Sequence, residues 1–529
     1  MELEHPRSGE DCPVGWSLLC VWLLISFILL DFGRHCWPVL DGDSIAFLPP
    51  MLSYAKGEGL VNRAWAGASV LDLTGRGRMV YHGFLYPMVV GTLTPKPTYP
   101  SVILTMTVFE VLTLAGCALL FYRIFAFVSN RRAWWHVVLL ALSTTGVTTT
   151  LVGLRGRPEP FAMLILVWGC NLLFILPWRW HWLVAGASLG LLGVTHPAGA
   201  VLAGLAAALY GSLRQPAKVW VVWVGKLCLA FLLPFWLGVA WYPFGFREWI
   251  RGLLRHSKIA VLPGWRVGTL YYWFLAPSAT FYGFLFLLGL GAGIYLHRQH
   301  KARIQSRWLF RLFCALLAAA ACFYGLRTPS QNYNLHLLTP LVCALIIAAM
   351  LTREETRRKL SPAWLERLAV LGVLALSSLG FFQRAAVFPF FLRHGMTYEQ
   401  ARSLFERWRG NLPGPVSAGW GMYTLADDYC DLSFHSGHPT GVAAAFFQQA
   451  NSGLLSPPKW PDYELVQNYF CPMRPRFLGL PLGNTLAGYN FAIYRSLARG
   501  HDLKAPSGHN SKQNEGSPLA RTAAPSPGL

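Results

Sequence analysis

Charge is what this chain carries least of. Only 13% of its 529 residues are Asp, Glu, Lys or Arg, against about 25% in ordinary soluble domains. Acids are the scarcer sign: 24 against 45 Lys and Arg, a formal balance of +21. Other absences narrow the function. No C-x-x-C pair occurs among the eleven cysteines, which argues against a structural zinc site. No Walker A sequence is present, which argues against ATP-driven transport. The one G-x-S-x-G, Gly186–Gly190, lies inside an apolar run rather than at a strand-to-helix turn, which argues against an ordinary serine hydrolase. There is no H-x-x-x-H either. No cofactor is called for, although a divalent cation held by carboxylates from separate loops is compatible with the chain. The basic excess does not indicate nucleic acid, because positive residues collect in cytoplasmic loops and beside lipid head groups.

What is present is apolar residue, 54% of the chain, in recurring long runs. About 20 such residues cross a bilayer as a helix, and hydrocarbon forces backbone polar groups to bond internally. The expected fold class is therefore an all-α polytopic membrane protein of about eleven transmembrane helices. Their limits fall near 15–36, 101–122, 134–153, 160–177, 182–195, 197–212, 219–241, 270–296, 309–326, 335–351 and 366–387. The first follows an acidic stretch with no small-x-small cleavage site, so it reads as an uncleaved span rather than a signal peptide. Loops dense in Lys and Arg, such as "NRRAWWH", "HRQHKARIQSRW" and "TREETRRKLSPAWLER", belong in the cytoplasm. That gives an N-in, C-out chain in three parts. Residues 1–387 form a transmembrane module with an outer loop at 37–100, residues 388–500 a small extracytoplasmic domain, and residues 501–529 a disordered tail rich in Ser, Pro and Gly. In that outer domain Cys430 and Cys471 are placed where a disulfide could form.

This topology carries scattered polar groups to one membrane face. Asp41 and Asp43 lie in "VLDGDSIAF" just after the first apolar run. Such acids can be plain solvated boundary residues. Two within three residues, beside apolar neighbours and before a short helix, can also serve as a general base. That helix lies in "SIAFLPPMLSYAKGEG", begins at its start or at Pro49–Pro50, and ends at Gly57 and Gly59. The later "YHGFLYPMVVG" reads as an apolar segment at or dipping into the interface. "LRGRPEPFAMLI" sets Arg155, Arg157 and Glu159 at the mouth of a span. The acid there suits a helix start, and the three together can bind a charged or hydroxyl-rich ligand. His196, between two apolar stretches, is a packing histidine or a functional one. Asn332 and Tyr333 in "QNYN" reach the same face. Residues 246–258 form a basic amphipathic helix on the membrane surface, a lipid-facing strut or a contact for an anionic lipid phosphate.

Four of these pieces together resemble the GT-C superfamily of integral-membrane glycosyltransferases, in particular bacterial relatives of dolichyl-phosphate-mannose protein mannosyltransferases and of the lipid A aminoarabinose transferase. They are Asp43, Phe47 and "AKGEGL"; "YHGFLYPMVV"; "GRPEPFAM"; and "QNYNLHLLTPLV". The chain departs from that pattern in having Ser44 after the acid and no Lys-Pro-Pro near the second span. The resemblance implies an inverting transferase that takes a sugar from a polyprenyl-phosphate donor to a lipid, glycan or protein acceptor on the outer membrane face. It implies Asp43 as base, with Asp41 as fallback or helper, and Arg155, Arg157 and Arg327, with His82, around the carrier phosphate. Membrane lipid is a further partner, and a multi-pass place in the bacterial inner membrane follows. The rival expectation is a transporter or flippase for a lipid-linked or sugar substrate.

Overall fold

The computed structural model describes residues 36–37, 44–62, 77–80, 82–129, 157–214, 216–260, 266, 396–409, 416–418, 432–434, 444–448, 456–469, 476–477, 480–481 and 491–497, with scattered helical positions at 20–28 and 287–323. After a two-residue strand β1 (Cys36–Trp37), helix α1 covers Ser44–Ala55 and includes Pro49 and Pro50. It starts at Ser44 rather than at the prolines. An interior proline costs about 3 kcal/mol, whereas each large apolar side chain buried stabilises by about 1.5–3 kcal/mol. Phe47, Leu48, Met51 and Leu52 are all buried here. Gly57 and Gly59 end the helix at positive φ, as expected from the sequence.

Helix α2 (Leu85–Leu93) packs on α1 through Gly91, where a Cβ would lie 2.9 Å from the Tyr54 ring. Leu85, Tyr86, Met88 and Val90 are buried in the same cluster as Phe47, so this segment is core rather than interface. Helices α3 (Tyr99–Ser129) and α4 (Glu159–Ile175) are zipped by polar bonds. The Thr113 hydroxyl donates to the Pro160 carbonyl at 2.9 Å, and the Asn171 amide donates to the Gly116 carbonyl at 3.1 Å. Small residues and interhelical hydrogen bonds of this kind hold helices together where water is absent.

Helices α5 (His181–Thr195), α6 (Pro197–Arg214) and α7 (Ala217–Trp241) follow. A Cβ on Gly186 would meet Ala230 and the Leu227 carbonyl, and one on Gly190 would meet the Phe231 carbonyl and Pro234. Because backbone blocks Gly190, Gly190→Leu is expected to force α5 from α7 and cost about 2–3 kcal/mol. Gly204, with open space around it, supplies the control: Gly204→Ala should hold or raise stability by up to about 1 kcal/mol. Chemical unfolding of the detergent-purified protein reads both.

The expectation of an all-α chain with about eleven spans does not hold. Among the described residues two helices are long and apolar enough to cross a membrane, Tyr99–Leu120 within α3 and Ala217–Trp241, which is α7. The apolar runs at 160–177, 182–195 and 197–212 fold as shorter helices. At 1.5 Å per residue, the 15 residues of α5 reach about 22 Å, short of the ~30 Å hydrocarbon core. His196 and Pro197 break α5 from α6. The runs at 134–153, 335–351 and 366–387 lie outside the described residues. α7 carries the clearest membrane signature: Val219, Val221, Val222, Leu229, Leu233 and Leu237 are each more than half exposed. An aqueous surface does not tolerate so large an apolar face unpartnered.

Strands supply the second departure. Beyond β2 (Met396–Thr397), which pairs with β1, and helix α9 (Tyr398–Arg409), a five-stranded mixed sheet forms. It contains β3 (Val416–Ala418), β4 (Leu432–Phe434), β5 (Ala444–Gln448), β6 (Tyr463–Asn468) and, after the short pair β7 (Arg476–Phe477) and β8 (Leu480–Pro481), β9 (Phe491–Ser496). Its order is β4-β3-β5-β9-β6, with β3 parallel to both neighbours and β9 antiparallel to both of its own. Tyr494 packs against Trp460 in a tilted arrangement with ring centroids 4.2 Å apart and donates to the Pro458 carbonyl, and burial pushes its phenol pKa up. Phe405 of α9 and Ile493 of β9 join the buried cluster of Phe47, Phe84 and Trp249. The sheet region thus shares one core with α1 and α2. Cys430, Cys471 and residues 501–529 lie outside the described residues.

Candidate functional site

Three ionisable side chains meet at the mouth of α4. Pro158 and Pro160 flank Glu159 at the first turn, where fixed φ suits a helix start and a carboxylate suits the dipole. Arg157, just outside the helix, turns back on it. Its Nε donates to both Glu159 oxygens at 3.0 Å and its Nη2 to Oε1 at 2.6 Å. Glu159 is 1% exposed and Arg157 7%. A buried charge pair of this kind survives only with such two-pronged geometry, since desolvation of each ion otherwise exceeds their attraction.

His196 closes the cluster from the α5–α6 junction. Its Nδ1 accepts the Gly199 backbone N–H at 2.8 Å, so the imidazole does for α6 what a capping oxygen does elsewhere. With Nδ1 accepting, the ring proton of the neutral form sits on Nε2, 3.7 Å from Glu159 Oε1. That separation is too long for a hydrogen bond and is an electrostatic contact. Glu159 stands outside both candidate spans. Burial alone pushes its carboxyl up, but the Arg157 guanidinium, its hydrogen bonds and the His196 ring outweigh that and hold it well below the usual carboxylate range. A carboxylate fixed in its ionised form is a poor proton donor and a weak base near neutral pH. It is well suited to accept hydrogen bonds from ligand hydroxyls or to hold a guanidinium in place.

Contacts run from this cluster through two more of the motifs. Tyr86 of "YHGFLYPMVV" stacks on Phe161 of "GRPEPFAM" at 5.6 Å. The Phe84 N–H donates to the Val194 carbonyl at 2.9 Å, two residues before His196. A Cβ at Gly83 would overlap the Thr195 carbonyl, so only glycine allows this loop to lie there. His82 is half-buried, with its ring 5.1 Å from Phe47 of α1. The loop is clamped by helix α8 (Phe246–Ala260), whose Trp249 Nε1 donates to the His82 carbonyl at 2.9 Å, and by Tyr242 at the end of α7, which donates to the Met79 carbonyl.

The structure therefore brings Arg157, Glu159 and His196 together and places His82 in the adjoining loop. Asp41, Asp43, Arg155, Arg327, Asn332 and Tyr333 lie outside the described residues. Sequence reasoning passed over Glu110. It is 1% exposed on α3, on a buried polar stripe with Thr107 and Thr113. The signal was available: Glu110 is the lone acid in a 31-residue apolar helix, and ionisable groups in such segments are rarely incidental. Among the described residues no group of three or more His, Cys, Asp or Glu is arranged to hold a metal ion. No protein-family model matches this chain, and no curated protein matches it.

Proposed function

We propose that this chain is a multi-pass glycosyltransferase of the bacterial inner membrane. It moves a sugar from a polyprenyl-phosphate donor to an acceptor on the outer face, with inversion. The supporting observation is the run of contacts Phe47–His82, Tyr86–Phe161 and Glu159–His196. It draws three of the four motifs that resemble the GT-C pattern to one end of the helices, around a buried, charge-balanced Arg157–Glu159 pair. In this reading the acceptor oxygen attacks the anomeric carbon as the carbon–oxygen bond to the carrier phosphate breaks. The phosphate leaves with the bonding electrons and is stabilised by arginine. Asp43 takes the acceptor proton, because Glu159 is held too acidic for the task. Glu159 and His196 position the donor.

One observation favours the transporter reading instead: Glu110, buried inside a candidate span, is where proton-coupled carriers place a carboxyl. Purified protein in lipid nanodiscs and in vesicles, given radiolabelled polyprenyl-phosphate hexose and pentose, separates the two. Label passing from the lipid to an added lipid, glycan or peptide acceptor supports transfer. Folded protein that moves the intact donor across vesicles without cleaving it sinks the transferase reading.

A further inference from the structure

Among the described residues nothing covers one face of helix α8. Its apolar side is spent within the protein rather than on lipid. Trp249 is 1% exposed, edge-on to Phe84 at 4.9 Å, and a Cβ at Gly252 would overlap the Val80 carbonyl. One flank is fixed by Glu248, which pairs with Arg78 at 3.1 Å. The remaining face carries Arg247, Arg251 and Arg255 at four-residue spacing, all exposed, with exposed Leu254 beside them. No hydrogen bond or ion pair engages the three arginines among the described residues.

Position decides what such a stripe meets. α7, a candidate span, ends at Trp241, and α8 begins at Phe246. Trp236 and Trp241 are about half exposed near the end of α7, where indole rings mark the edge of a bilayer. The turn through Tyr242 and Phe244 is locked to the loop by the Tyr242–Met79 bond and by Arg78 over the Phe244 ring at 4.9 Å. The arginines are thus held close to the level at which the bilayer gives way to water. We propose that the Arg247–Arg251–Arg255 stripe is a seat for the headgroups of anionic phospholipids. Planar guanidinium groups bind phosphate oxygens in pairs, and Leu254 dips toward the acyl boundary between them. The proposal rests on α7 as a span and is independent of sugar transfer.

The test compares full-length protein with the triple variant Arg247→Gln, Arg251→Gln, Arg255→Gln. Both are exchanged into mixed micelles of phosphatidylglycerol and phosphatidylcholine, and bound phospholipid is quantified after gel filtration. Wild type is expected to enrich phosphatidylglycerol, and the triple variant to lose roughly 100-fold of that preference, each of the three basic residues near an anionic surface being worth about fivefold. Raising the salt to 1 M should erase most of the preference. Equal enrichment by both proteins, or displacement of the lipid by millimolar inorganic phosphate, overturns the proposal. An unchanged melting temperature of the variant confirms that the loss is not unfolding. Recovery of the chain in the aqueous fraction without detergent overturns the span on which the proposal stands.

Discussion

Glu159→Gln is expected to destabilise the protein by about 3–5 kcal/mol, because it leaves the buried Arg157 charge without its counter-ion. Denaturant unfolding in detergent measures the loss. The double replacement Arg157→Met, Glu159→Leu removes both charges and keeps apolar volume. It should recover most of that stability, since well-packed apolar pairs replace buried ion pairs at little cost. Sugar transfer should fail in the single and the double variant alike. A double variant that is both stable and active would show the pair to be structural only. The acid dependence has a definite sign. Glu159 has a depressed folded pKa, so its contribution is complete above the ordinary carboxylate value of 4.5 and is lost as pH falls through the lower folded value. Wild-type stability from this pair should therefore be level from pH 7 to 5 and fall in stronger acid. The single variant should lack that fall.

Asp43→Asn carries the second large effect. The amide keeps size and hydrogen bonding but cannot take a proton, and removal of a positioned general base lowers turnover by about 10²–10⁴-fold. Its chain position gives the reason for choosing it over Asp41: it immediately precedes Ser44, the first residue of α1, whose Phe47 contacts His82. Donor turnover with Asp43→Asn and Asp41→Asn in parallel, at matched melting temperatures, reads the assignment. Full activity in both single variants would remove the carboxylate from the mechanism. Loss in Asp41→Asn alone would transfer the role by two residues.

Much of the candidate site could be read along the chain, though not for the reason first assigned. Glu159 stood out as an acid between two prolines at a helix start, and His196 as a histidine between apolar stretches. Their meeting depends on α5 stopping at Thr195 and on Gly83 letting a distant loop lie against its end. No local pattern encodes that approach. The basic helix was equally legible as an amphipathic segment, but the destination of its apolar face was not. Hydrophobic periodicity says only that one side avoids water. Trp249 avoids it by packing on Phe84, where the sequence suggested lipid. Glu110 was missed because a single charge inside a long apolar run lowers the average too little to interrupt it.

The sequence by itself determined the apolar, charge-poor character of the chain, the ends of α1 at its glycines, the start of α4 between its prolines and the polarity of α8. These follow from backbone freedom, capping and solvent affinity, which act within a few residues. Only the tertiary structure decided which apolar runs are long enough to cross a bilayer and which pack as shorter helices. It also decided that the C-terminal region builds a mixed sheet, and that Arg157, Glu159 and His196 meet. Those outcomes depend on burial between segments far apart in the chain, and hydropathy assigns the same value to a side chain buried in protein as to one buried in lipid.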